Sequence, residues 1–402
     1  MFDKPELSLN KIPDVVGKPF LSRALLFSNK IAEIMKENTP DSYRFVVCDE
    51  DKVLGSGIGG FSRMTIDPPV MPAKLGDRLI IASMSKTITA VAVLGTLQSK
   101  NLSPDTPVAP FFPTDWQLHD EVKKLTFRDF LTHRTGFYWD GKTAFQDGTD
   151  YESMKKIVAQ KPFNPIKTGY SYRNINFAIF RIILPYLNAY DRFSKKVSLI
   201  TLSNTSIEAS LAQRYIDLVN QRVLSPSGIA PAACTSKTLV PPSEPNGRPA
   251  PQASYQPVLA YHYQKPSQKG IDGGDQTLYC GASGWALSVG DIAKLLQTVL
   301  FTEIILSEKS RALILSPGAL QNNGLGMNMD TQLVGSNVYS HGAWIPYEKD
   351  APPDGAQLAG WYLYFEKTKL IVVALCNSGH KPGAANWYDL VKQAYVEIYG
   401  VQ

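Results

Sequence analysis

Residues 81–113 read IASMSKTITAVAVLGTLQSKNLSPDTPVAPFFP. Several apolar residues in this stretch fall at i, i+1, i+4 and i+7, the spacing that forms one apolar face of a helix: Ala90, Val91, Leu94 and Leu97. The stretch therefore predicts a helix that packs against a core. Its first residues include two polar side chains that could do chemistry, Ser83 and Lys86.

Ser83 and Lys86 are candidates for a nucleophile and its base. A spacing of i and i+3 places both side chains on one helical face, within hydrogen-bonding reach of each other. A serine needs a nearby base to become a good nucleophile, and a lysine in the right surroundings can supply one. The helix N-terminus can also stabilise an oxyanion. Taken alone, S-x-x-K usually marks only a helix N-cap and a surface lysine. The motif therefore indicates a catalytic site only if other motifs support it.

A second polar cluster lies in residues 169–180, GYSYRNINFAIF. The hydroxyl of Tyr172 could relay protons, and the amide of Asn174 could orient both Lys86 and a substrate carbonyl. The structural alternative is a packed aromatic side chain followed by an asparagine that caps a loop.

A third cluster, residues 340–344, reads SHGAW and precedes a strong hairpin, which predicts an edge strand. A strand of small residues beside the nucleophile could offer a backbone N–H to an oxyanion and a polar side chain above it. The structural alternative is a histidine packed in a glycine-containing strand.

Strands and helices cluster at both ends of the chain. Residues 20–36 predict a helix, residues 44–59 a hairpin with an acidic turn, residues 360–379 a second hairpin, and residues 387–398 a final helix. We therefore predict an α+β fold of the α/β sandwich kind, in which helices flank a central antiparallel sheet and a mostly helical domain is inserted.

The predicted division places residues 1–102 and 275–402 in the sheet domain and residues 103–274 in the helical domain. The helical domain includes a long irregular loop at 241–274, which is rich in Pro, Ser, Gln, Tyr and Gly. Long loops in compact domains are often functional.

Composition narrows the classes of function. The chain has 402 residues, and its 41 basic and 36 acidic residues give a net charge of +5 without a Lys/Arg block, so nucleic acid is not an expected partner. The four cysteines are scattered, and we expect neither a metal site nor a cofactor. No apolar run is long enough to span a bilayer, and the first residues lack a signal peptide. We expect a cytoplasmic protein, or a periplasmic or secreted one if a leader was removed.

The order of the motifs carries a resemblance. Ser-x-x-Lys, Tyr-x-Asn and a His-Gly-Ala strand follow one another as in the β-lactamase and penicillin-binding-protein superfamily, and the chain most resembles class C β-lactamase-related esterases and D-amino-peptidases. Two further segments are similar: LTFRDFLTHRTGF at 125–137 and CGASGWALSVGDIAKLL at 280–296.

The resemblance implies a role for each residue. Ser83 would be the nucleophile and Lys86 its general base or the partner of that base. Tyr172 would pass the proton to the leaving group and later activate water, and Asn174 would orient substrate. The backbone N–H groups of Ser83 and Trp344 would form the oxyanion hole, whereas His133 would have a structural role in a turn.

Two departures from the family pattern bear on the substrate, which would contact His341, Gly342, Ala343 and Trp344. Ala343 stands where the family has glycine, which adds a methyl group beside the substrate. His341 stands where β-lactamases usually have lysine, and an ordinary histidine pKa of about 6.5 leaves it mostly neutral at pH 7. We therefore expect a small-molecule ester, amide or β-lactam substrate, with esters preferred. The alternative is a catalytically weak penicillin-binding or sensor protein.

Overall fold

The computed structural model describes residues 19–39, 41–138, 148–161, 169–191, 196–197, 206–236, 256–316, 324–330, 336–347, 353–383 and 386–400. The helices are α1 Pro19–Asn38, α2 Ser85–Lys100, α3 Asp120–Lys123, α4 Phe127–Leu131, α5 Tyr151–Ala159, α6 Ile175–Ala178, α7 Phe180–Asn188, α8 Ile207–Val219, α9 Val289–Phe301, α10 Glu308–Ile314 and α11 Trp387–Tyr399. The strands are β1 Ser42–Cys48, β2 Val53–Arg63, β3 Met71–Pro72, β4 Leu79–Ile80, β5 Tyr190–Asp191, β6 Lys196–Val197, β7 Leu259–Ala260, β8 Ile271–Asp272, β9 Ala286–Leu287, β10 Asn328–Asp330, β11 Val338–Pro346, β12 Gln357–Phe365 and β13 Leu370–Cys376.

The main sheet joins the two ends of the chain. Its seven strands run antiparallel in the order β10-β11-β12-β13-β1-β2-β3. The central contact pairs β1 with β13, so that Val46 lies opposite Val373. Every residue of β1, β12 and β13 is buried, as expected for strands covered on both faces. The predicted α+β fold with a central antiparallel sheet is confirmed.

Helices α1 and α11 pack together on one face of the sheet. The aromatic centre of this layer is Phe27, whose ring makes edge-to-face contacts with Phe365, Tyr395 and Tyr399. Edge-to-face contacts add to the free energy that the buried area already contributes. This layer supports the sheet from the side opposite the helix that follows Ser83.

Helix α2 lies in the larger core on the other face, where it is buried on nearly all sides rather than along one stripe. Its buried hydroxyl groups have partners. Thr87 donates to the Gly326 carbonyl at 2.8 Å, and Thr89 donates to the Gly281 carbonyl at 2.6 Å. Buried polar groups with partners avoid the cost of desolvation, and they join α2 to two distant segments.

The glycine run at residues 55–60 lies within β2. A side chain at Gly57 would meet the Phe45 ring at 2.4 Å, and one at Gly59 would meet the Tyr43 ring at 2.4 Å. The glycines thus make room for aromatic side chains of the neighbouring strand.

The middle of the chain contains helices α3 to α8, and its side chains join the core around α2. Residues 241–255 of the predicted irregular loop lie outside the described residues. In the remainder, β7 pairs with β8, so a short ladder interrupts that segment. The predicted boundaries at 102/103 and 274/275 stay a prediction.

Candidate active site

Ser83 lies in a 3-10 turn, Ala82–Met84, immediately before α2. The backbone of Ala82 has φ 44°, a left-handed conformation that costs an ordinary residue about 1–3 kcal/mol. The turn is held by two backbone hydrogen bonds: Ile81 donates to the Trp285 carbonyl at 2.8 Å, and Met84 donates to the Ile81 carbonyl at 3.1 Å. The sequence placed Ser83 in the helix itself, but the i, i+3 relationship to Lys86 is retained.

Lys86 lies in the first turn of α2 and is fully buried. Its Nζ atom donates to Ser83 Oγ at 3.0 Å, to Asn174 Oδ1 at 2.8 Å and to the Ala282 carbonyl at 2.8 Å. These three acceptors come from three separate parts of the chain. They direct the amine at the serine and not at solvent.

Tyr172 contacts the same oxygen from the other side. Its hydroxyl donates to Ser83 Oγ at 2.7 Å, and Lys86 Nζ lies 4.9 Å from the centre of its ring. The side chain is 40% exposed and belongs to a segment without helix or strand. Ser83 therefore has two neighbours that can exchange a proton with it.

His133 packs against Tyr172, with 4.4 Å between the ring centres. Its Nδ1 atom accepts the backbone N–H of Arg173 at 3.2 Å and lies 3.2 Å from Asn176 Nδ2. Burial lowers the pKa of His133 well below its ordinary value, and the nearby Lys86 lowers it further. A neutral ring that accepts at Nδ1 carries its proton on Nε2.

His341 lies on β11 and is buried. Burial, with a smaller effect from Lys86, lowers its pKa from 6.5 to about 4. Its Nδ1 atom lies 2.8 Å from the Gly342 carbonyl, which can only accept, so the neutral ring carries its proton on Nδ1. At pH 7 this position therefore supplies no positive charge.

Strand β11 packs against the 3-10 turn that carries Ser83. Strand β10 pairs only with residues 338–340, and among the described residues no strand pairs with the remainder of β11 on that side. The Trp344 side chain is 58% exposed, and its indole N–H donates to Gln357 Oε1. The described part of β11 thus presents an open edge from His341 onward.

One cavity of about 950 Å³ contains all the predicted site residues except Lys86, which lies behind Ser83. It runs from Ser83, Tyr172 and Asn174 across residues 340–344 to Trp361, Trp387 and Tyr388. Among the described residues that line it, none is Arg, Lys, Asp or Glu. The cavity is polar at the serine end and aromatic at the far end.

Sequence reasoning missed several parts of this site. The Ala282 carbonyl that accepts from Lys86 lies within the segment CGASGW. That segment supported the family resemblance, but nothing in it predicted a contact with Lys86. The aromatic end uses Trp361 from β12 and Trp387 and Tyr388 from α11. Their spacing predicted a strand and a helix that pack in the core. No sequence signal distinguished side chains that line the cavity from side chains that are buried in the core.

Two features are absent from the described part of the chain. No three His, Cys, Asp or Glu side chains there are grouped so that they could hold a metal ion. No helix among those residues is both long enough and apolar enough to cross a membrane.

Comparison with known proteins identifies the family of this chain. The sequence profile of the Beta-lactamase family matches residues 27–395, so the chain belongs to that family and thereby to the β-lactamase-related serine hydrolases. A D-aminopeptidase from Cereibacter sphaeroides is 28% identical over 206 residues, which cover 49% of this chain and 34% of the relative. The matched region thus spans only about a third of that relative's length.

Solved structures share the fold at low identity. A class C β-lactamase from Rhodobacter sphaeroides has a TM-score of 0.62 at 15% identity, covering 93% of this chain and 99% of the other. A D-amino acid amidase from Ochrobactrum anthropi has a TM-score of 0.59 at 16% identity, covering 93% and 98%. The octameric penicillin-binding protein homologue from Pyrococcus abyssi has a TM-score of 0.59 at 17% identity, covering 94% and 77%.

Proposed function

We propose that this protein hydrolyses small uncharged esters, and more slowly uncharged amides, through an acyl-enzyme on Ser83. The observation that carries the proposal is the pair of contacts to Ser83 Oγ, from Lys86 Nζ at 3.0 Å and from the Tyr172 hydroxyl at 2.7 Å. A serine flanked by two proton-exchanging groups at the mouth of a cavity is suited to acyl transfer.

In the proposed acylation Lys86 acts as the unprotonated amine, which can still donate to Asn174 and Ala282 while its lone pair faces Ser83. Ser83 Oγ attacks the substrate carbonyl carbon while its proton moves to this amine. The carbonyl oxygen becomes an oxyanion, which the backbone N–H groups of Ser83 and Trp344 would stabilise. The bond to the leaving group then breaks, and Tyr172 delivers a proton to the departing oxygen or nitrogen. Asn174 supports this sequence because its side-chain oxygen accepts from Lys86 at 2.8 Å.

In the proposed deacylation, Tyr172 takes a proton from a water molecule that attacks the acyl carbon. The bond to Ser83 Oγ breaks, Ser83 regains a proton from Lys86, and the carboxylic acid product leaves. General acid–base assistance of this kind contributes about 10²- to 10⁴-fold to rate. Tyr172 is well placed for both steps because its side chain is 40% exposed and can meet water.

The charges of the cavity support uncharged substrates. His341 is neutral at pH 7 because its pKa is lowered to about 4, so a substrate carboxylate gains no cation there. The described lining residues also include no carboxylate that could receive an α-ammonium group. The aromatic end at Trp361 and Trp387 fits an apolar acyl or alcohol group.

A second candidate is hydrolysis of D-amino-acid amides, which the match to a D-aminopeptidase at 28% identity favours. That reaction would place a positively charged amine in a cavity whose described lining is uncharged. We therefore rank it below ester hydrolysis. A catalytically weak penicillin-binding or sensor protein is the non-enzymatic alternative.

The test combines covalent labelling with turnover. The protein is incubated with a fluorophosphonate probe, and intact mass and peptide mapping should show one adduct on Ser83. Turnover is then measured with p-nitrophenyl butyrate, nitrocefin and a D-alanine p-nitroanilide, and we expect the ester to be hydrolysed fastest.

Ser83→Ala should abolish both the adduct and turnover. Ser99→Ala is the matched control, since Ser99 lies at the other end of α2, where its described hydrogen bonds are to the helix carbonyl of Thr96 and to Arg222. No adduct on the wild type would refute the enzyme. Faster turnover of nitrocefin than of ester would refute the substrate preference, and faster turnover of the D-alanine anilide would favour the second candidate.

A further inference from the structure

We infer that His133 is a positioning residue that holds Tyr172 against Ser83, a role beyond the structural one in a turn that the family resemblance implied. The inference rests on the proposed function, because it assumes that Tyr172 exchanges protons with Ser83. His133 itself is not in hydrogen-bonding contact with Ser83 in the described structure, so its effect would pass through Tyr172.

The backbone on both sides of Tyr172 is attached to His133. The N–H of Ser171 donates to the His133 carbonyl at 2.9 Å, and the N–H of Arg173 donates to His133 Nδ1 at 3.2 Å. One residue therefore accepts hydrogen bonds from both neighbours of Tyr172. In a segment without helix or strand, such bonds limit the directions in which the intervening side chain can point.

The rings provide a second restraint. The His133 imidazole lies 4.4 Å from the Tyr172 ring centre at an interplanar angle of 32°, while Lys86 Nζ lies 4.9 Å from that centre. His133 is buried and is itself packed against Phe177, with ring centres 5.0 Å apart. The half-exposed tyrosine thus rests on a buried, fixed ring.

The charge state of His133 suits this role. Burial, and after it the nearby Lys86, disfavours the protonated form of His133. Protonation would turn Nδ1 into a donor opposite the Arg173 N–H and break that contact. Neutral histidine is therefore the form that holds the tyrosine segment.

The backbone conformation of His133 determines which substitutions can test its side chain without straining the backbone. Its φ of 56° is left-handed, a conformation that asparagine tolerates better than most residues. In His133→Asn the side-chain oxygen can replace Nδ1 as an acceptor, whereas the ring contact is lost. In His133→Ala both are lost, and the backbone conformation becomes less favourable.

The experiment measures kcat and KM for p-nitrophenyl butyrate in these variants. We expect His133→Ala to lower kcat by about 100-fold and His133→Asn by about tenfold, with KM changed less than about twofold. His119→Asn is the matched control, since His119 Nδ1 also accepts a backbone N–H, from Glu121 at 3.1 Å, outside the cavity. Its kinetics should equal those of the wild type.

A double-mutant cycle then separates positioning from general loss of structure. In a Tyr172→Phe background the hydroxyl is absent, so His133→Asn should lower the residual kcat less than about twofold. The inference would be overturned if His133→Asn lowered kcat by the same factor in both backgrounds. It would also be overturned if the substitution changed KM and left kcat unchanged. If the wild type forms no Ser83 adduct, the proposed function fails as well; if the adduct forms and the effects are independent, only the role of His133 fails.

Discussion

The hydroxyl of Tyr172 donates a 2.7 Å hydrogen bond to Ser83 Oγ, between residues 89 positions apart in the chain. Lys86 contacts the same oxygen from within its own helix turn. The serine is therefore approached by a local partner, which its spacing makes available, and by a distant one, which only folding supplies.

Tyr172→Phe should lower kcat/KM for p-nitrophenyl butyrate by about 10²- to 10⁴-fold, because the ring stays while the proton-exchanging hydroxyl is lost. Steady-state kinetics provide the measurement, with circular dichroism to verify the fold. Tyr138→Phe is a suitable control, since Tyr138 is 62% exposed and does not line the cavity. A loss below about threefold in Tyr172→Phe would contradict the proposed proton transfer.

His341→Lys should shift selectivity toward substrates that carry a carboxylate. A cation at this position can form a charge-assisted hydrogen bond, which we expect to raise nitrocefin turnover relative to ester turnover by about 10-fold or more. His341→Gln is the neutral control and should leave the ratio within about twofold of the wild type. An unchanged ratio in the lysine variant would show that His341 does not set this preference.

The stability of the protein should depend on pH through His341. Its pKa in the folded state is lowered from 6.5 to about 4, so the unfolded chain takes up a proton in this window while the folded protein does not. The free energy of unfolding should therefore fall as pH drops from about 6.5 to about 4, with a contribution of roughly 3 kcal/mol. The lowered pKa of His133 acts in the same direction.

Urea unfolding at pH 7.5 and pH 4.5 measures this dependence. In His341→Gln the decrease between the two pH values should be smaller than in the wild type, because one titrating group is gone. Equal decreases in both proteins would argue against a neutral buried His341.

Phe27→Ala should lower the free energy of unfolding by about 3–5 kcal/mol, because it removes a fully buried ring and leaves a cavity among three aromatic neighbours. Leu26→Ala, at the adjacent position where the side chain is 58% exposed, should change it by less than about 0.5 kcal/mol. Denaturant unfolding gives both values. Labelling of Ser83 at a temperature where both variants are folded should be unaffected, since α1 lies on the opposite face of the sheet.

Local patterns predicted much of the fold. The predicted helix at 20–36 corresponds to α1, Pro19–Asn38, and the hairpin around residues 366–369 corresponds to β12 and β13. These segments were predictable because helical and strand periodicities arise from residues close in sequence. The prediction of a single apolar face for α2 was incomplete, because that helix is buried on nearly all sides.

The sequence by itself determined the spacing of Ser83 and Lys86, because one helical turn brings positions i and i+3 together regardless of the remainder of the chain. The order of the three motifs was also enough to indicate the family. The sequence suggested Asn174 as a partner of Lys86, and the structure places Lys86 Nζ and Asn174 Oδ1 2.8 Å apart. Tertiary structure alone decided that the Ala282 carbonyl would accept from Lys86, that His133 would pack against Tyr172, and that Trp387 would reach the cavity. Those contacts join segments far apart in the chain, and their distances follow from how the sheet and helices pack, which residue spacing does not encode.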